Sequence, residues 1–333
     1  MVFAPAPQLT VTVEQRGDAP DIHVHAGGQG VWQARMVRSL GVPVVLCAAF
    51  GGETGQVVRH LIEAEGIALR GVAAHSRNGA YVHDRRGGVR VDVAEHAGDP
   101  LTRHELDELY GLALTEGLGA GTAVLSGPTN AARIVPPETY RRLACDLGRN
   151  GCRVLADLSG EYLSRAVAGG VRFVKVNQDE LIADGRVSAA GVGIDGLVAA
   201  MYRLREEGAD TVVVTRAEYP ALALIGDEVA EVVVPRLEAA DPRGAGDSMT
   251  AGVAASLARG ESIIDAIRAG AAAGALNVTR HGLGTGHAEA VAQLRERVWL
   301  VPVRNAGPAH QHRGEGPDLQ ATPDQLVEWV RRS

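Results

Sequence analysis

One short stretch of the sequence combines two carboxylates with a run of small residues. Asp241 and Asp247 enclose Pro-Arg-Gly-Ala-Gly, and an apolar stretch with helical periodicity follows. Gly244, Ala245 and Gly246 have little or no side chain, so their backbone N–H groups can bind anionic oxygens at a helix N-terminus. A carboxylate on the first turn of that helix, Asp247, could take the proton from a hydroxyl that attacks a γ-phosphate. The segment therefore predicts phosphoryl transfer to an alcohol.

The same segment resembles the D-T-x-G-A-G-D signature of ribokinase-like carbohydrate kinases of the phosphofructokinase B type, with Pro242 in place of the threonine. The resemblance covers about residues 3 to 297 and is nearest to the 1-phosphofructokinase and tagatose-6-phosphate kinase branch. It implies a three-layer α/β/α sandwich with a mostly parallel central sheet and a small β-strand lid. In this family the lids commonly pair between subunits, so a homodimer is also implied.

The resemblance implies the residues that would bind ATP and Mg²⁺. Asn177 and Glu180 match the family's N-x-x-E, which organises Mg²⁺ and its waters around the phosphates, and Mg²⁺ prefers hard oxygen ligands. Lys175, the only lysine in the chain, directly precedes this motif, and we expect it near the nucleotide phosphates. The remaining nucleotide contacts implied by the family pattern are Thr215, Asp241, Gly244, Gly246 and Gly274.

On the acceptor side the sequence departs from the family pattern. Gly28 and Gln29 belong to a motif that resembles G-G-K-G, in which Gln29 replaces the lysine, and Trp32 replaces the asparagine that follows it. Gln8 stands where the family has an aspartate that binds sugar hydroxyls. Arg77 resembles the position that holds the phosphate of phosphosugars, a task that suits bidentate hydrogen bonding. The predicted acceptor contacts are Gln8, Gly28, Gln29, Trp32, Arg77 and Asp247.

A second departure falls on the nucleotide side. Ala217 and Pro220 stand where the family's S-x-G-x-x-G-A has glycines.

Besides a kinase for a sugar or sugar phosphate, two alternative functions stay open. One is a kinase for a nucleoside or other acceptor, on which Trp32 could stack. The other is a non-catalytic ligand-binding or regulatory relative, which the intact Asp247 and N-x-x-E oppose.

The composition is typical of a soluble globular protein. The chain has 333 residues, of which 46% are apolar and 22% charged, with a formal net charge of −7. Nucleic-acid binding is not expected of such an acidic chain, because it needs a basic face. We find no apolar run suited to a membrane span, no signal peptide, and too few cysteines for a disulfide framework. We therefore expect a cytoplasmic protein that acts on a small molecule, with no membrane partner.

Strands that alternate with helices predict a parallel sheet with ligands at the carboxyl ends of its strands. Thr102 and Glu105 predict a capping box at the start of one helix. We assign residues 1–300 to a kinase domain, with lid strands within about 9–25 and 78–96, and 301–333 to a linker and short helix. The predicted strands of the sheet are 44–50, 122–125, 154–157, 173–176, 211–215 and 229–234. The predicted helices include 137–149, 160–168, 178–184, 196–207, 246–258 and 262–279.

Residues 191–196 spell G-x-G-x-x-G, the pattern of dinucleotide-binding sites. No clear buried strand precedes it, although such a site requires one. We therefore interpret it as a loop before a helix and do not expect a dehydrogenase.

Overall fold

The computed structural model describes residues 1–127, 134–189, 193–235, 237, 243–278 and 287–303. Within these ranges the chain forms one ten-stranded sheet, one four-stranded sheet and helices that cover the larger sheet. Asp241, the first two residues of the G-x-G-x-x-G pattern and the predicted C-terminal helix lie outside the described residues. In the part of the chain that is described, no helix is both long and apolar enough to cross a membrane.

The strands of the described residues are numbered in chain order. They are β1 (Val2–Phe3), β2 (Gln8–Arg16), β3 (Ala19–Gly27), β4 (Val45–Gly51), β5 (Ala68–Ala74), β6 (Asn78–Asp84), β7 (Val91–Gly98), β8 (Thr122–Ser126), β9 (Arg153–Asp157), β10 (Phe173–Asn177), β11 (Thr211–Arg216), β12 (Tyr219–Ile225), β13 (Glu228–Val233) and β14 (Trp299–Pro302).

The helices of the same ranges are α1 (Gln29–Ser39), α2 (Gly52–Ala64), α3 (Arg103–Ala120), α4 (Pro137–Arg149), α5 (Gly160–Ala168), α6 (Gln178–Ala183), α7 (Ile194–Glu207), α8 (Ala245–Ala258), α9 (Ile263–Val278) and α10 (Ala288–Arg295). The capping box predicted for α3 is present, since the Thr102 side chain accepts from the Glu105 amide and Glu105 from the Thr102 amide.

The large sheet is parallel at its centre and antiparallel at one edge. Its strand order is β14-β13-β12-β11-β10-β9-β8-β1-β4-β5, and β12, β13 and β14 run antiparallel to their neighbours. Helices cover both faces, which is why its central strands are continuously apolar. One core contains Leu109, Leu143 and Leu163 from α3, α4 and α5. The other contains Val31 and Ile267 from α1 and α9. The predicted three-layer sandwich is confirmed.

The four-stranded sheet, with order β3-β2-β6-β7, is the lid. Its base packs on the body, because Leu9 and Ala26 belong to the same apolar cluster as Val58 and Ile62 of α2. Successive side chains of a strand point to opposite faces of a sheet. Valines and isoleucines therefore line one face, whereas threonines and histidines line the other.

The structure contains three strands that the sequence patterns did not predict: β5, β12 and β14. Strand β5 is interrupted by Gly71, and β14 has only four residues and ends at Pro302, so neither has a clear alternation. Strand β14 pairs with β13 and extends the kinase sheet two residues past the boundary predicted at residue 300. In the lid, β7 begins at Val91, after a turn in which Gly88 adopts a left-handed φ of 77°.

Strand β12 overlaps the segment that we had matched to the nucleotide-side motif of the family. It forms a tight hairpin with β11, and Ala217 in the turn has a φ of 48°. Ala217 is the one non-glycine residue with positive φ in the described ranges. Side chains disfavour this conformation, and the resembled motif has a glycine there. The backbone of the motif is thus kept although its glycine is lost.

Candidate active site

Two neighbouring cavities open where strand ends meet helix N-termini. The first, which we call the β1 cavity, lies beside the end of β1 and the start of α1 and is lined by residues that include Pro7 and Gly28. The second, the β9 cleft, is lined by residues that include Asp157 and Glu180. Gln29 borders both cavities. Ligands of open α/β sheets bind outside the carboxyl ends of the strands, so these cavities form the candidate site.

The N-terminus of α8 supplies backbone donors to this site. Gly244 is the N-cap residue, with a left-handed φ of 73°, and it has no side chain that could accept from the first-turn amides. The N–H groups at the start of a helix have no partner within the helix, so those of α8 can bind an anion. Asp247 lies on the same first turn. The predicted grouping of Gly244, Ala245, Gly246 and Asp247 at one helix start is therefore present.

Two glycines allow close packing around this helix start. A Cβ atom on Gly246 would lie 2.9 Å from the Lys175 Nζ, so a side chain there would displace the lysine. A Cβ atom on Gly274 of α9 would lie 2.9 Å from the Ala245 carbonyl oxygen. Gly274 is thus buried against the first turn of α8. The structure shows that Gly274 packs against α8. A direct contact of Gly274 with the nucleotide stays a prediction.

Asp247 is a carboxylate with a strongly perturbed pKa. Burial and the nearby charge of Asp157 raise the pKa of Asp247 to about 7, against the opposing effects of Lys175 and of a hydrogen bond from Gln29. A general base works best when its pKa is near the pH at which it operates. Asp247 therefore has the environment expected of a catalytic base.

Beneath Asp247 lies a buried ion pair. The Lys175 Nζ is 2.7 Å from Asp157 Oδ1, and the two side chains are 6% and 2% exposed. The other oxygen of Asp157 accepts hydrogen bonds from Gln33 Nε2 at 2.9 Å and from Thr250 Oγ1 at 2.7 Å. Burial alone would lower the pKa of Lys175, but Asp157, Asp247 and Glu180 raise it above its usual value. Lys175 is therefore a fixed positive charge under the first turn of α8.

The sequence predicted a role for Lys175 near phosphates but did not identify its partners. Asp157, Gln33 and Thr250 were not among the predicted site residues. A signal for Asp157 was present, because an aspartate that ends a fully apolar strand must be paired when it is buried. Gln33 and Thr250 gave no such signal, since their partners lie 124 and 93 residues away in sequence.

Asn177 and Glu180 meet at the start of α6. The Glu180 amide donates to Asn177 Oδ1 at 2.7 Å, and the Asn177 amide donates to Glu180 Oε2 at 2.8 Å, which makes a capping box. Burial raises the pKa of Glu180, while Lys175 and the Asn177 amide oppose the rise. Thr215 of β11 lies beside Asn177 in the sheet register. The N-x-x-E motif and the predicted nucleotide contact Thr215 therefore lie on adjacent strand ends.

The donor set fits Mg²⁺ held largely through water. Among the described residues no group of three or more His, Cys, Asp or Glu side chains is arranged around a metal position. Glu180 borders the β9 cleft and uses only its Oε2 oxygen in the capping box. Mg²⁺ in phosphoryl-transfer sites keeps several waters and takes one or two carboxylates together with substrate phosphates. One available carboxylate oxygen at the cleft suits that mode of binding.

The predicted acceptor residues divide into two groups. Gly28 and Gln29 lie at the β1 cavity, where Gly28 is the N-cap of α1 with a φ of 104°. Gln29 also lines the β9 cleft and acts to lower the pKa of Asp247, so this part of the prediction lies beside the proposed base. Gln8 is 2% exposed, and Trp32 is partly buried on α1. Neither Gln8 nor Trp32 lines either cavity.

Arg77 lies apart from Asp247, on the connection before β6. Its Nε donates to Asp99 Oδ2 at 3.1 Å, and its side chain is 62% exposed. The side chain lies over the start of α2, because a Cβ atom on Gly52 would come within 2.7 Å of Arg77 Cγ. An arginine beside a helix N-terminus is a suitable environment for a phosphate group.

Comparison with known proteins decides the family. Residues 4–290 match the sequence profile described as pfkB family carbohydrate kinase. The chain belongs to this family. The prediction of a carbohydrate kinase, a phosphotransferase with an alcohol group as acceptor, is thereby confirmed.

Individual relatives of this pfkB family protein are phosphofructokinases. It is 30% identical to the ATP-dependent 6-phosphofructokinase isozyme 2 of Escherichia coli (strain K12) over 264 residues, which are 77% of this chain and 82% of that protein. It is 26% identical to the 1-phosphofructokinase of Bacillus subtilis (strain 168) over 283 residues, which are 82% of this chain and 88% of that protein. The crystal structure of phosphofructokinase-2 from Escherichia coli in complex with potassium superposes with a TM-score of 0.77, at 26% identity, covering 89% of this chain and 97% of that one.

The burial of the Lys175–Asp157 ion pair leads to a prediction about the free energy of unfolding. Asp157→Asn removes the ion-pair partner of Lys175, and Lys175→Met removes that of Asp157, so we expect each to lower the free energy of unfolding by about 3 kcal/mol. The double variant should lose less than the sum of the two, by at least about 1 kcal/mol, because the partners are coupled. Urea denaturation of the four proteins measures this coupling.

The control for this cycle is an exposed pair. Arg59 and Glu63 on α2 are 3.0 Å apart, with side chains 48% and 47% exposed. Removing that pair should change the free energy of unfolding by no more than about 0.5 kcal/mol. Additive losses for Asp157 and Lys175 would show that the two side chains do not depend on each other.

Proposed function

We propose that this protein transfers the γ-phosphate of ATP to a hydroxyl group of a sugar phosphate, with Asp247 as the general base. The observation that carries the proposal is the position of Asp247. Its carboxylate, with a pKa raised by burial and by Asp157, lies on the same helical turn as the free amides of α8. A proton acceptor and an anion site are thereby a few ångströms apart, as in-line phosphoryl transfer requires.

Each residue of the site has a separate proposed role in the reaction. Asp247 takes the proton of the attacking hydroxyl as its oxygen bonds to the γ-phosphorus. The amides of Ala245 and Gly246, with the positive charge of Lys175 beneath them, stabilise the negative charge on the transferring group. Glu180, with Asn177 beside it, would hold Mg²⁺ through water. When bound, Mg²⁺ supplies neutralisation of the phosphate charges.

The acceptor class is supported by Arg77 and by the named relatives. The relatives described above are phosphofructokinases, so each acts on a phosphorylated sugar by its name. Within the described part of the chain, the Arg77 side chain pairs with the exposed carboxylate of Asp99. A substrate phosphate could replace that carboxylate and also meet the N-terminus of α2. We therefore favour a phosphosugar over a free sugar or a nucleoside.

We also propose that the protein is a homodimer formed through its lids. On one lid face, here called the apolar lid face, Val11 pairs with Val24 and Val13 pairs with Ile22. Ile22 is 64% exposed and Val24 is 44% exposed. Exposed contiguous apolar patches typically mark interaction surfaces. A second copy of the same face would cover it with matching chemistry.

The role of Asp247 predicts a pH dependence. Only the ionised carboxylate can accept a proton, so kcat/KM for a fructose phosphate should rise as pH increases through about 7 and then level off. Asp247→Asn should lower kcat by at least about 100-fold, since general-base catalysis contributes that much or more. The measurement is the rate of ADP release from Mg·ATP between about pH 5.5 and about pH 9, a range that brackets the expected titration.

A control for stability accompanies this experiment. Circular dichroism melts of wild type and Asp247→Asn should superpose closely, which excludes unfolding as the cause of lost activity. A variant with wild-type turnover, or a wild-type rate that is flat across the pH range, would show that another group is the base.

Arg77 provides a test of the acceptor class. Arg77→Gln removes the charge and should raise KM for a phosphosugar by about tenfold or more, because charge-assisted hydrogen bonds are worth about 1.5–3 kcal/mol. KM for ATP should stay unchanged. The matched control is Arg59→Gln on the exposed side of α2, which should alter neither constant. Equal KM values for Arg77→Gln and wild type would argue against a phosphate at this position.

The apolar lid face provides a test of the dimer. Val24→Asp places a charge in the proposed interface and should raise the dissociation constant of the dimer by at least about tenfold. Val57→Asp is the control, since Val57 lies outside the lid on α2 and is also 42% exposed. Sedimentation velocity over a concentration series measures both. Wild-type protein that sediments as a monomer throughout would contradict the proposal.

A further inference from the structure

The connection between β5 and β6 links the body of the protein to the lid and carries Arg77. Each of its backbone N–H groups donates to a carboxylate. The amides of His75 and Ser76 donate to Glu105 Oε1 at 2.6 and 3.4 Å. The amide of Arg77 donates to Asp99 Oδ2 at 3.1 Å. The main chain that carries the Arg77 side chain is therefore held at every amide.

Asn78, the first residue of β6, holds the other end of this connection with its side chain. Asn78 is only 5% exposed. Its Nδ2 donates to the carbonyl oxygens of Pro7 at 2.9 Å and Ala49 at 3.0 Å, and its Oδ1 accepts from the Gly51 amide at 2.8 Å. Both polar groups of an amide side chain are thus bonded. Asn78 therefore joins the backbones of β4, of the β4–α2 junction and of the connection between β1 and β2.

These partners lie at two places in the proposed acceptor site. Pro7 lines the β1 cavity. Gly51 is the N-cap residue of α2, and the Arg77 side chain lies over the start of that helix. One buried side chain thus connects the wall of the β1 cavity to the helix start at which we propose that the acceptor's phosphate binds. A broken bond in such a place leaves a buried polar group unpaired, so the connection resists displacement.

Helix α2 packs tightly around Asn78. The Thr54 Oγ1 donates to the Asn78 carbonyl oxygen at 2.7 Å. A Cβ atom on Gly55 would lie 2.4 Å from Asn78 Oδ1, so only glycine permits this approach of the helix. The Asn78 side chain therefore has no room to shift toward α2.

We propose that Asn78 is a positioning residue that sets the separation between the phosphate and the reacting hydroxyl of the acceptor. Asn78 fixes Arg77 relative to the β1 cavity, so a sugar phosphate is bound productively when its phosphate and its hydroxyl match that separation. This inference rests on the proposed function and deepens it. It names the side chain that selects among phosphosugars by the distance between their two functional groups.

The experiment measures the steady-state kinetics of Asn78→Asp with Mg·ATP and either fructose 6-phosphate or fructose 1-phosphate. Aspartate keeps the size of the side chain and an acceptor for the Gly51 amide, but it removes the donors to Pro7 and Ala49. Arg77 must then be ordered when the phosphate binds. KM for the phosphosugar should rise about fivefold, the factor that ordering one long side chain represents. KM for ATP and kcat should stay close to wild type.

A cycle with Arg77→Gln makes the readout specific to positioning. If Asn78 acts through Arg77, the loss of the guanidinium leaves Asn78 with nothing to position. The double variant should then have the same phosphosugar KM as Arg77→Gln alone, because the two residues act as one unit. A merely structural role of Asn78 would instead multiply with the effect of Arg77→Gln and would also alter KM for ATP.

Two further variants accompany the cycle. Thr54→Val keeps the shape of the side chain but removes its hydrogen bond to Asn78, and it should raise the phosphosugar KM about threefold. If Asn78→Asp fails to fold, the phosphosugar KM of Thr54→Val decides the inference. The matched control is Asn150→Asp at the end of α4, where Nδ2 donates to the Asp146 carbonyl oxygen at 2.8 Å. This variant should match wild type in every constant.

The outcomes separate the inference from the function on which it rests. An unchanged phosphosugar KM in Asn78→Asp, or a rise that multiplies with that of Arg77→Gln, would overturn the inference and leave the kinase intact. An Arg77→Gln protein with the wild-type phosphosugar KM would also overturn it, because Asn78 would then have no phosphate-binding group to position. Wild type that phosphorylates neither fructose phosphate would overturn the proposed function together with the inference.

Discussion

The active site depends on one buried ammonium surrounded by three carboxylates. Lys175 pairs with Asp157, and Asp247 and Glu180 are close enough to raise the pKa of the lysine as well. One positive charge cannot neutralise three negative charges in a region that water hardly enters. The excess negative charge must raise the proton affinity of the carboxylates with weaker pairing. Burial and this excess charge together raise the pKa of Asp247 to about 7, a value suited to its proposed role as a base.

This cluster also explains why the surrounding elements pack as they do. Gly246 lets the first turn of α8 approach Lys175, and Gly274 lets α9 support that turn from behind. Helix α1 then closes the other side, where Gln33 donates a hydrogen bond to Asp157. A polar network of this kind is stabilising only when every member has a partner. The same contacts therefore hold the fold together at its centre and position the base.

Much of this arrangement could be predicted from local sequence. The strand–helix alternation predicted the sandwich, and the small residues before Asp247 predicted the start of α8, because both signals depend on neighbouring residues. The contact between Gln33 and Asp157 was beyond such reasoning, since it joins residues 124 apart. Short edge strands such as β14 were missed because four residues carry little periodicity.

The most direct test of the account is to follow the γ-phosphate itself. ³¹P NMR of a mixture of Mg·ATP, a fructose phosphate and the full-length protein distinguishes ADP, inorganic phosphate and a new phosphomonoester in one spectrum. The account predicts that the new phosphomonoester grows in step with ADP and that Asp247→Asn produces neither. A wild-type spectrum in which ATP stays intact, or in which it yields only inorganic phosphate, would contradict the central claim that this cluster catalyses transfer to a sugar phosphate.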